Sequence, residues 1–445
     1  MAPGGPADLN VVDIHVFYRG RVLDGCISIS DGRVIYVGKR ANAPRAERVL
    51  DGSGLLALPG PIDVHVHLRD EELAYKEDFY TGTCSAVAGG ITGVLDMPNT
   101  RPPVDSARRL IERMRRAQRM VVANVGFYSL LPSRLNELEA LAEAGAVGIK
   151  IYLHEPKTTL DISDDALLAQ AVQLANRCGL PVVFHAEDSR VIEEAKAKIG
   201  PEEDPVRRFL LTHPPEAELS AVKRLVRLLR DRRVHLCHIS TPGSVELAKS
   251  AGFSVEATPH HLFLSAEVCE RLGPLALMDP PLRPPELVAR LRAMLYRGLI
   301  DVVASDHAPH ALEEKMGPEP PPGIPGLETL LPLLLNEVAE RRLALPELVR
   351  LVCERPARLF HLDGGRLEPG APADLVLVDL KAEVIVDPGV FKSKARFSPF
   401  EGMRLRGAPA YTIVNGQLAL ERGEVVAEPG CGRILKPIGR GGGGP

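Results

Sequence analysis

Six side chains in this sequence have the types and the spacing of a metal-dependent hydrolytic centre. His65 and His67 close the apolar run Leu55-Leu56-Ala57-Leu58-Pro59-Gly60-Pro61-Ile62-Asp63-Val64. Residues i and i+2 of a strand point to one side, so two imidazoles at this spacing can reach one metal ion from a single rigid element. Taken alone, the pair also fits two surface histidines. The other apolar runs decide between the two. Lys150 lies inside Val147-Gly148-Ile149-Lys150-Ile151-Tyr152-Leu153, His185 ends Val182-Val183-Phe184-His185, and His238 ends His235-Leu236-Cys237-His238. Asp306 follows Val302-Val303-Ala304-Ser305.

Lys150 is the odd member, because an ammonium cannot ligate a metal and is costly to bury unpaired. Three readings are open: a salt bridge, a Schiff-base lysine, or a carbamate formed by CO2 on the neutral amine. A carbamate is an anion whose two oxygens can bridge two cations. Two Zn2+ bring four positive charges, against which Asp306, a Lys150 carbamate and a bridging hydroxide set three negative ones. Such a hydroxide exists near neutral pH, because zinc lowers the pKa of bound water to about 7.

The elements that must carry these residues alternate regularly. Predicted strands cover 62–67, 91–97, 121–128, 147–153, 181–186, 233–239, 253–258 and 300–306, with helical patterns at 135–144, 165–178, 221–230, 244–251 and 285–297 between them. Eight β/α units imply a parallel sheet closed into a (β/α)8 TIM barrel, whose chemistry sits at the carboxyl ends of the strands. An open doubly wound sheet is the alternative, but no strand is followed by a glycine-rich phosphate-binding fingerprint. Both ends of the chain are strand-rich instead. The expected organisation is a small β-sandwich domain built from residues 1–55 and 366–436, a catalytic barrel over 56–365, and a disordered tail over 437–445.

Composition sets the broad class. At 445 residues and 45% hydrophobic content, the chain can bury one large core and a smaller satellite. A net charge of -4 gives no footprint for nucleic acid, and the basic stretch 108–119 reads as a solvated helix face. Seven cysteines without paired spacing argue against a disulfide framework, and no apolar run reaches the roughly 20 residues of a membrane span. A cytoplasmic protein is expected. The 39 prolines, set against 12 asparagines and glutamines together, suggest a thermophile source.

Longer motifs carry a resemblance. Pro59-Gly60-Pro61-Ile62-Asp63-Val64-His65-Val66-His67-Leu68-Arg69, Met97-Pro98-Asn99-Thr100, Thr258-Pro259-His260-His261-Leu262, Ser305-Asp306-His307-Ala308-Pro309-His310 and Pro325-Gly326-Leu327-Glu328-Thr329 resemble the motifs of dihydroorotases, within the amidohydrolase superfamily. The likeness runs in order over nearly the whole chain. It implies a binuclear zinc site in which His65, His67, N6-carboxylysine at Lys150 and Asp306 hold one ion, and Lys150, His185 and His238 hold the other. The chain resembles the lysine-bridged type.

The activity so implied is the reversible cyclisation of N-carbamoyl-L-aspartate to (S)-dihydroorotate in de novo pyrimidine biosynthesis. A metal-bridging hydroxide would attack the ring carbonyl, with Asp306 as general acid and base. Dihydroorotate carries a carboxylate, and Arg69, two residues beyond His67, offers a two-pronged donor for it. The resemblance adds Asn99 and His310 to that role, and gives Ala308, Pro322 and Gly323 backbone contacts to the ring. A hydantoinase- or allantoinase-like enzyme for neutral rings is the alternative. A non-catalytic dihydroorotase-like partner of aspartate transcarbamoylase is another, although such a protein need not keep its ligands and every ligand position here is filled. Association with that transcarbamoylase and a homodimer both stay open.

Other residues are assigned lesser parts. His260 and His261 are expected to support the site, Thr158 and Thr159 to lie in a mobile loop, and Cys237 with Glu256 offers an additional metal site. His15, His154, His213, His235, His307 and His361 read as ordinary histidines. Asp70-Glu71-Glu72 stands where many relatives have Glu-Pro-Gly, which points to a different turn. Asp279 puts an acid where ring recognition is expected, with Arg283 close by in sequence to compensate.

Overall fold

The computed structural model describes residues 6–200 and 202–439. Eight parallel strands ring a central lumen: β1 (Ile62–Val66), β2 (Gly93–Asp96), β3 (Asn124–Phe127, continued by Ser129–Leu130), β4 (Ile149–Tyr152), β5 (Val182–His185), β6 (Val234–Leu236), β7 (Ser254–Ala257) and β8 (Val302–Val303). Neighbours in sequence are neighbours in space. β3 meets β4 through Val147 N–H on Phe127 O at 2.9 Å and Ser129 N–H on Gly148 O at 3.1 Å. The ring closes where Val66 pairs with His307 and His67 N–H donates to the His307 carbonyl at 2.8 Å. Parallel neighbours need long crossovers, and helices such as Asp165–Arg177, Pro215–Leu229 and Pro285–Tyr296 provide them.

Alternation along each strand sorts lumen from outer layer. Ile149 and Ile151 join the core beneath the helices, which leaves Lys150 facing inward. Val183 and Cys237 line the lumen, while Phe184 and Leu236 pack outward. β1 breaks this rule usefully: its pairing with β2 shifts register between Asp63 and Val66. Val64 lines the lumen floor and Val66 lies outside, so the bulge turns His65 and His67 to the lumen above Val64.

A second layer draws on both termini. Ala7–Tyr18, Arg21–Ser30, Arg33–Gly38, Ala46–Asp51 and Leu56–Pro59 share one nine-stranded sheet with Leu375–Ile385, Arg404–Val414, Gln417–Glu421 and Glu424–Val425. The halves join where Leu56–Pro59 pairs antiparallel with residues 375–378. The sheet folds over a core in which Ile14, Ile27 and Ile29 meet Leu375, Leu377 and Ile413, giving a small β-sandwich. Val376 and Val378, on the opposite face, join the barrel core and dock the two layers.

The chain then returns to the barrel. Val125 N–H donates to Arg433 O, and Leu435 N–H to Val125 O. Of the expected tail, residues 440–445 lie outside the described residues, while Ile438 N–H still reaches His361 O at 2.6 Å. No helix among the described residues is long and apolar enough to cross a membrane.

Candidate active site

The six residues singled out in the sequence converge, buried, at the carboxyl end of the barrel. His65 Nδ1 lies 2.9 Å from Glu256 Oε1, and His67 Nδ1 lies 2.8 Å from Asn99 Oδ1. Each Nδ1–H donates to its oxygen, which leaves the lone pair on Nε2. Both Nε2 atoms point at Asp306 Oδ1, 3.4 Å away in each case. Protonation does not supply the missing charge, because burial lowers the pKa of His65 and holds that of His67 well below the usual imidazole range. Lone pairs facing lone pairs at that distance repel unless a cation lies among them. The donor set therefore fits a divalent metal ion.

A second imidazole pair lies beside the first. His185 Nε2–H donates to Glu187 Oε2 at 2.7 Å, so its free lone pair is on Nδ1. The His238 ring stands 4.6 Å from that of His185, and His238 Nδ1 is buried without a hydrogen-bond partner among the described residues. Burial holds both rings well below their ordinary pKa. Lys150 is fully buried between the two pairs, and its charge further depresses all four histidines. Its Nζ donates to Cys237 Sγ at 2.7 Å and has no carboxylate within ion-pair distance among the described residues. The salt-bridge reading of Lys150 therefore fails.

Glu256 has a different job from the additional metal site considered above. Its Oε1 accepts from His65 Nδ1 and from the His238 amide at 3.0 Å, and its Oε2 accepts from His235 Nε2 at 3.1 Å. These partners hold the acid well below the usual carboxylate range despite full burial. One carboxylate thereby fixes a histidine from β1 and the turn after β6, where His238 adopts a φ of +38°. His235, read as ordinary, anchors the far side of this support. Asp306, with a φ of +47°, is pushed up to about 6 by burial.

Arg69 stands at the rim, only 8% exposed. Its Nε donates to Pro309 O at 3.2 Å, and its Nη2 approaches His310 Nε2 at 3.2 Å. Lys76 donates to His310 Nδ1 at 3.1 Å, so Nε2 carries the hydrogen and gives it to Pro322 O, also at 3.1 Å. Arg69 Nη2 thus faces a donor and keeps its hydrogens for another acceptor. No acid lies within ion-pair distance of this guanidinium among the described residues. Its backbone is held hard: Arg69, Asp70 and Glu71 have φ of 55°, 57° and 50°. Arg113 donates to Arg69 O at 3.0 Å and pairs with Asp96 at 2.7 Å, Arg116 grips Asp70, and Arg109 grips Glu71. Asp70 and Glu71, two of the three residues that stand where many relatives have Glu-Pro-Gly, are the counter-ions of this clamp.

The segment between β7 and the helix Pro285–Tyr296 holds Asp279. His154 Nε2 lies 3.4 Å from its Oδ2 and His185 Nε2 lies 3.8 Å from its Oδ1, so His154 belongs to the site after all. Arg283 does not compensate Asp279; it donates to Ser240 Oγ and His213 O. His154, His213, Asp279 and Pro322 line a cavity of about 550 Å³ that opens to solvent. A cavity of about 820 Å³, lined by Asp161, Arg190 and Arg224, has none of the six in its lining.

The Amidohydrolase family model matches residues 56–419. A dihydroorotase of Geotalea daltonii is 37% identical over 443 residues, covering 92% of this chain and all of that one. A dihydroorotase of Methanothermobacter thermautotrophicus is 35% identical over 419 residues, covering 92% and 93%. An L-hydantoinase of Paenarthrobacter aurescens is 34% identical over 453 residues, covering 96% and 98%. Among solved structures, an L-hydantoinase (dihydropyrimidinase) from Arthrobacter aurescens superposes with a TM-score of 0.91 at 31% identity, covering 97% of this chain and all of that one.

Proposed function

The chain belongs to the amidohydrolase family and is a cyclic amidohydrolase, and from that premise we propose that it is a dihydroorotase, closing N-carbamoyl-L-aspartate to dihydroorotate and reopening it. The observation that carries this is the buried guanidinium of Arg69, which has no acid within ion-pair distance among the described residues and lies within electrostatic reach of His67 and Asp306. A buried charge without a partner is expensive, and a substrate carboxylate would supply that partner. A neutral ring would not.

In this reading His65, His67 and Asp306 would hold one Zn2+ and His185 and His238 a second, with Lys150, as N6-carboxylysine, supplying an anionic ligand to both. Bound there, the ions would polarise the ring carbonyl and acidify the attacking water. Asp306 would act as general base and general acid, taking a proton from the attacking water and giving it to the departing ureido nitrogen. Arg69 holds the substrate carboxylate. The Asn99 amide N–H groups share it, since Asn99 Oδ1 is committed to His67. His310, fixed by Lys76 and Pro322, walls the pocket, and the backbone of Ala308, Pro322 and Gly323 borders the ring. In the synthetic direction Asp306 would take the ureido proton and give it to the departing hydroxide, which leaves as water.

The test is a substrate panel on zinc-loaded protein: dihydroorotate, carbamoyl aspartate, hydantoin, dihydrouracil and allantoin. Dihydroorotate and carbamoyl aspartate are the expected substrates. Turnover of the neutral rings without these two would reject the proposal.

A further inference from the structure

Lys315 ends the short helix Leu312–Lys315, is fully buried and takes no part in the chemistry above. Its Nζ lies 3.0 Å from Leu277 O, 2.9 Å from Pro321 O and 3.0 Å from Gly323 O. The three N–H bonds of one ammonium thus meet three carbonyls, one from the loop after β7 and two from the loop 320–324. No carboxylate lies within ion-pair distance of it among the described residues; the Phe397 ring centroid is 5.8 Å away. An apolar side chain would fill this space without desolvating a charge, and burial brings the Lys315 pKa down to about 7. What the ammonium supplies in return is the three-way grip.

The grip selects a face of the loop. In extended backbone successive carbonyls point to opposite sides. Pro321 and Gly323 turn theirs to Lys315. Pro322 O turns the other way to accept from His310 Nε2, and Ile324 O accepts from the Ala308 amide at 2.8 Å. Gly323, at φ +137°, presses against the site so closely that a Cβ would stand 2.5 Å from Ala308 O and 3.0 Å from His310 Cδ2. Its amide donates to Leu277 O at 2.9 Å, so that carbonyl serves both the loop and the lysine.

We propose that Lys315 is a positioning residue that sets which face of the loop 320–324 turns to the substrate, by holding the Pro321 and Gly323 carbonyls on the far side. The identity of that substrate rests on the dihydroorotase reading, whereas the ordering of the loop does not. Lys315→Met removes the donors while keeping the length and the apolar stem. Two measurements test it: steady-state kinetics with dihydroorotate, and amide hydrogen exchange at Gly323 and Ala308 in substrate-free holoenzyme. A KM raised about tenfold with kcat changed far less, together with exchange at both amides about tenfold faster, is the expected result. Unchanged exchange overturns the proposal whatever the kinetics do, and so does faster exchange with an unchanged KM. Should Lys315→Met fail to fold, Lys315→Gln, whose shorter side chain brings two N–H donors to three carbonyls, takes the same two measurements, with smaller shifts in the same direction expected and unchanged exchange again overturning the proposal. If the wild-type enzyme turns over only neutral rings, the dihydroorotase reading falls, and the exchange measurement, with KM taken on the ring that is turned over, still decides the role of Lys315.

Discussion

Replacing Arg69 with Met tests the step from cyclic amidohydrolase to dihydroorotase. The side chain is 8% exposed, so little solvent screening weakens a carboxylate pair formed there. Losing one partner of a buried, hydrogen-bonded charge pair costs about 2–5 kcal/mol. At about 1.4 kcal/mol per decade, kcat/KM for dihydroorotate should fall between about 30-fold and about 4,000-fold, with KM carrying most of it. The scaffold should survive, because the Arg69 main chain is held by Arg113 and the substitution frees only the Pro309 carbonyl, a loss of about 1 kcal/mol. Arg69→Lys keeps the charge without the fork and should fall between Met and wild type. The assay is ring opening followed by ultraviolet absorbance, run in parallel on dihydrouracil. Any residual turnover of that neutral ring should not drop. A kcat/KM for dihydroorotate within about threefold of wild type, or an equal loss on both rings, would refute the reasoning.

Three further outcomes follow from the geometry. Glu256→Gln should weaken metal affinity about 10–100-fold, since one carboxylate orients His65, His235 and the His238 amide; chelator competition reads this, and unchanged affinity would remove Glu256 from its supporting role. Arg113→Met should destabilise the fold by about 3–5 kcal/mol in urea unfolding, because Asp96 would keep only the Leu68 amide for its buried charge; a loss below about 1 kcal/mol contradicts this. Glu328, raised by burial to about 7, makes stability depend on pH. The folded state keeps this proton up to about pH 7 while the unfolded chain releases it near 4.5, so stability from this group falls as pH rises through that window, by up to about 3 kcal/mol. Glu328→Gln keeps an acceptor for the Lys392 amide and should flatten the thermal-unfolding profile between those pH values; an unaltered profile would show that Glu328 is not its source.

The barrel and the gathering of six residues at its rim were legible because both follow from short-range periodicity. A strand of period two makes Lys150 and His185 face inward whatever the rest of the chain does. The supports were not legible. Glu256 owes its role to partners on β1 and β6, about 190 and 20 residues away in sequence; its one local signal was an acid at a lumen-facing position of an apolar strand. His154 looked like any loop histidine because its partner Asp279 lies in another loop. The run Arg69-Asp70-Glu71 carries no glycine to advertise left-handed backbone. Its conformation is held by three arginines of the helix Ala107–Ala117, which the sequence presents only as a basic face.

The Asp279 puzzle, an acid expected to repel an anionic substrate, has a geometric answer. Two opposite charges stand at the carboxyl end of the barrel: Arg69, which has no acid within ion-pair distance among the described residues, and Asp279, which faces two imidazoles. His185 donates its Nε2–H to Glu187, and Asp279 is met by His154 and by the Glu187 carboxyl. On the proposed dihydroorotase reading, the ring carboxylate would turn toward Arg69 and the ureide N–H donors toward Asp279. A hydantoin-type ring also has N–H donors and would satisfy Asp279 equally well. It has nothing to offer Arg69. The proposed metal ligands suit either activity and Asp279 is indifferent between the rings, so the proposed distinction rests on Arg69, whose guanidinium has no acid within ion-pair distance among the described residues.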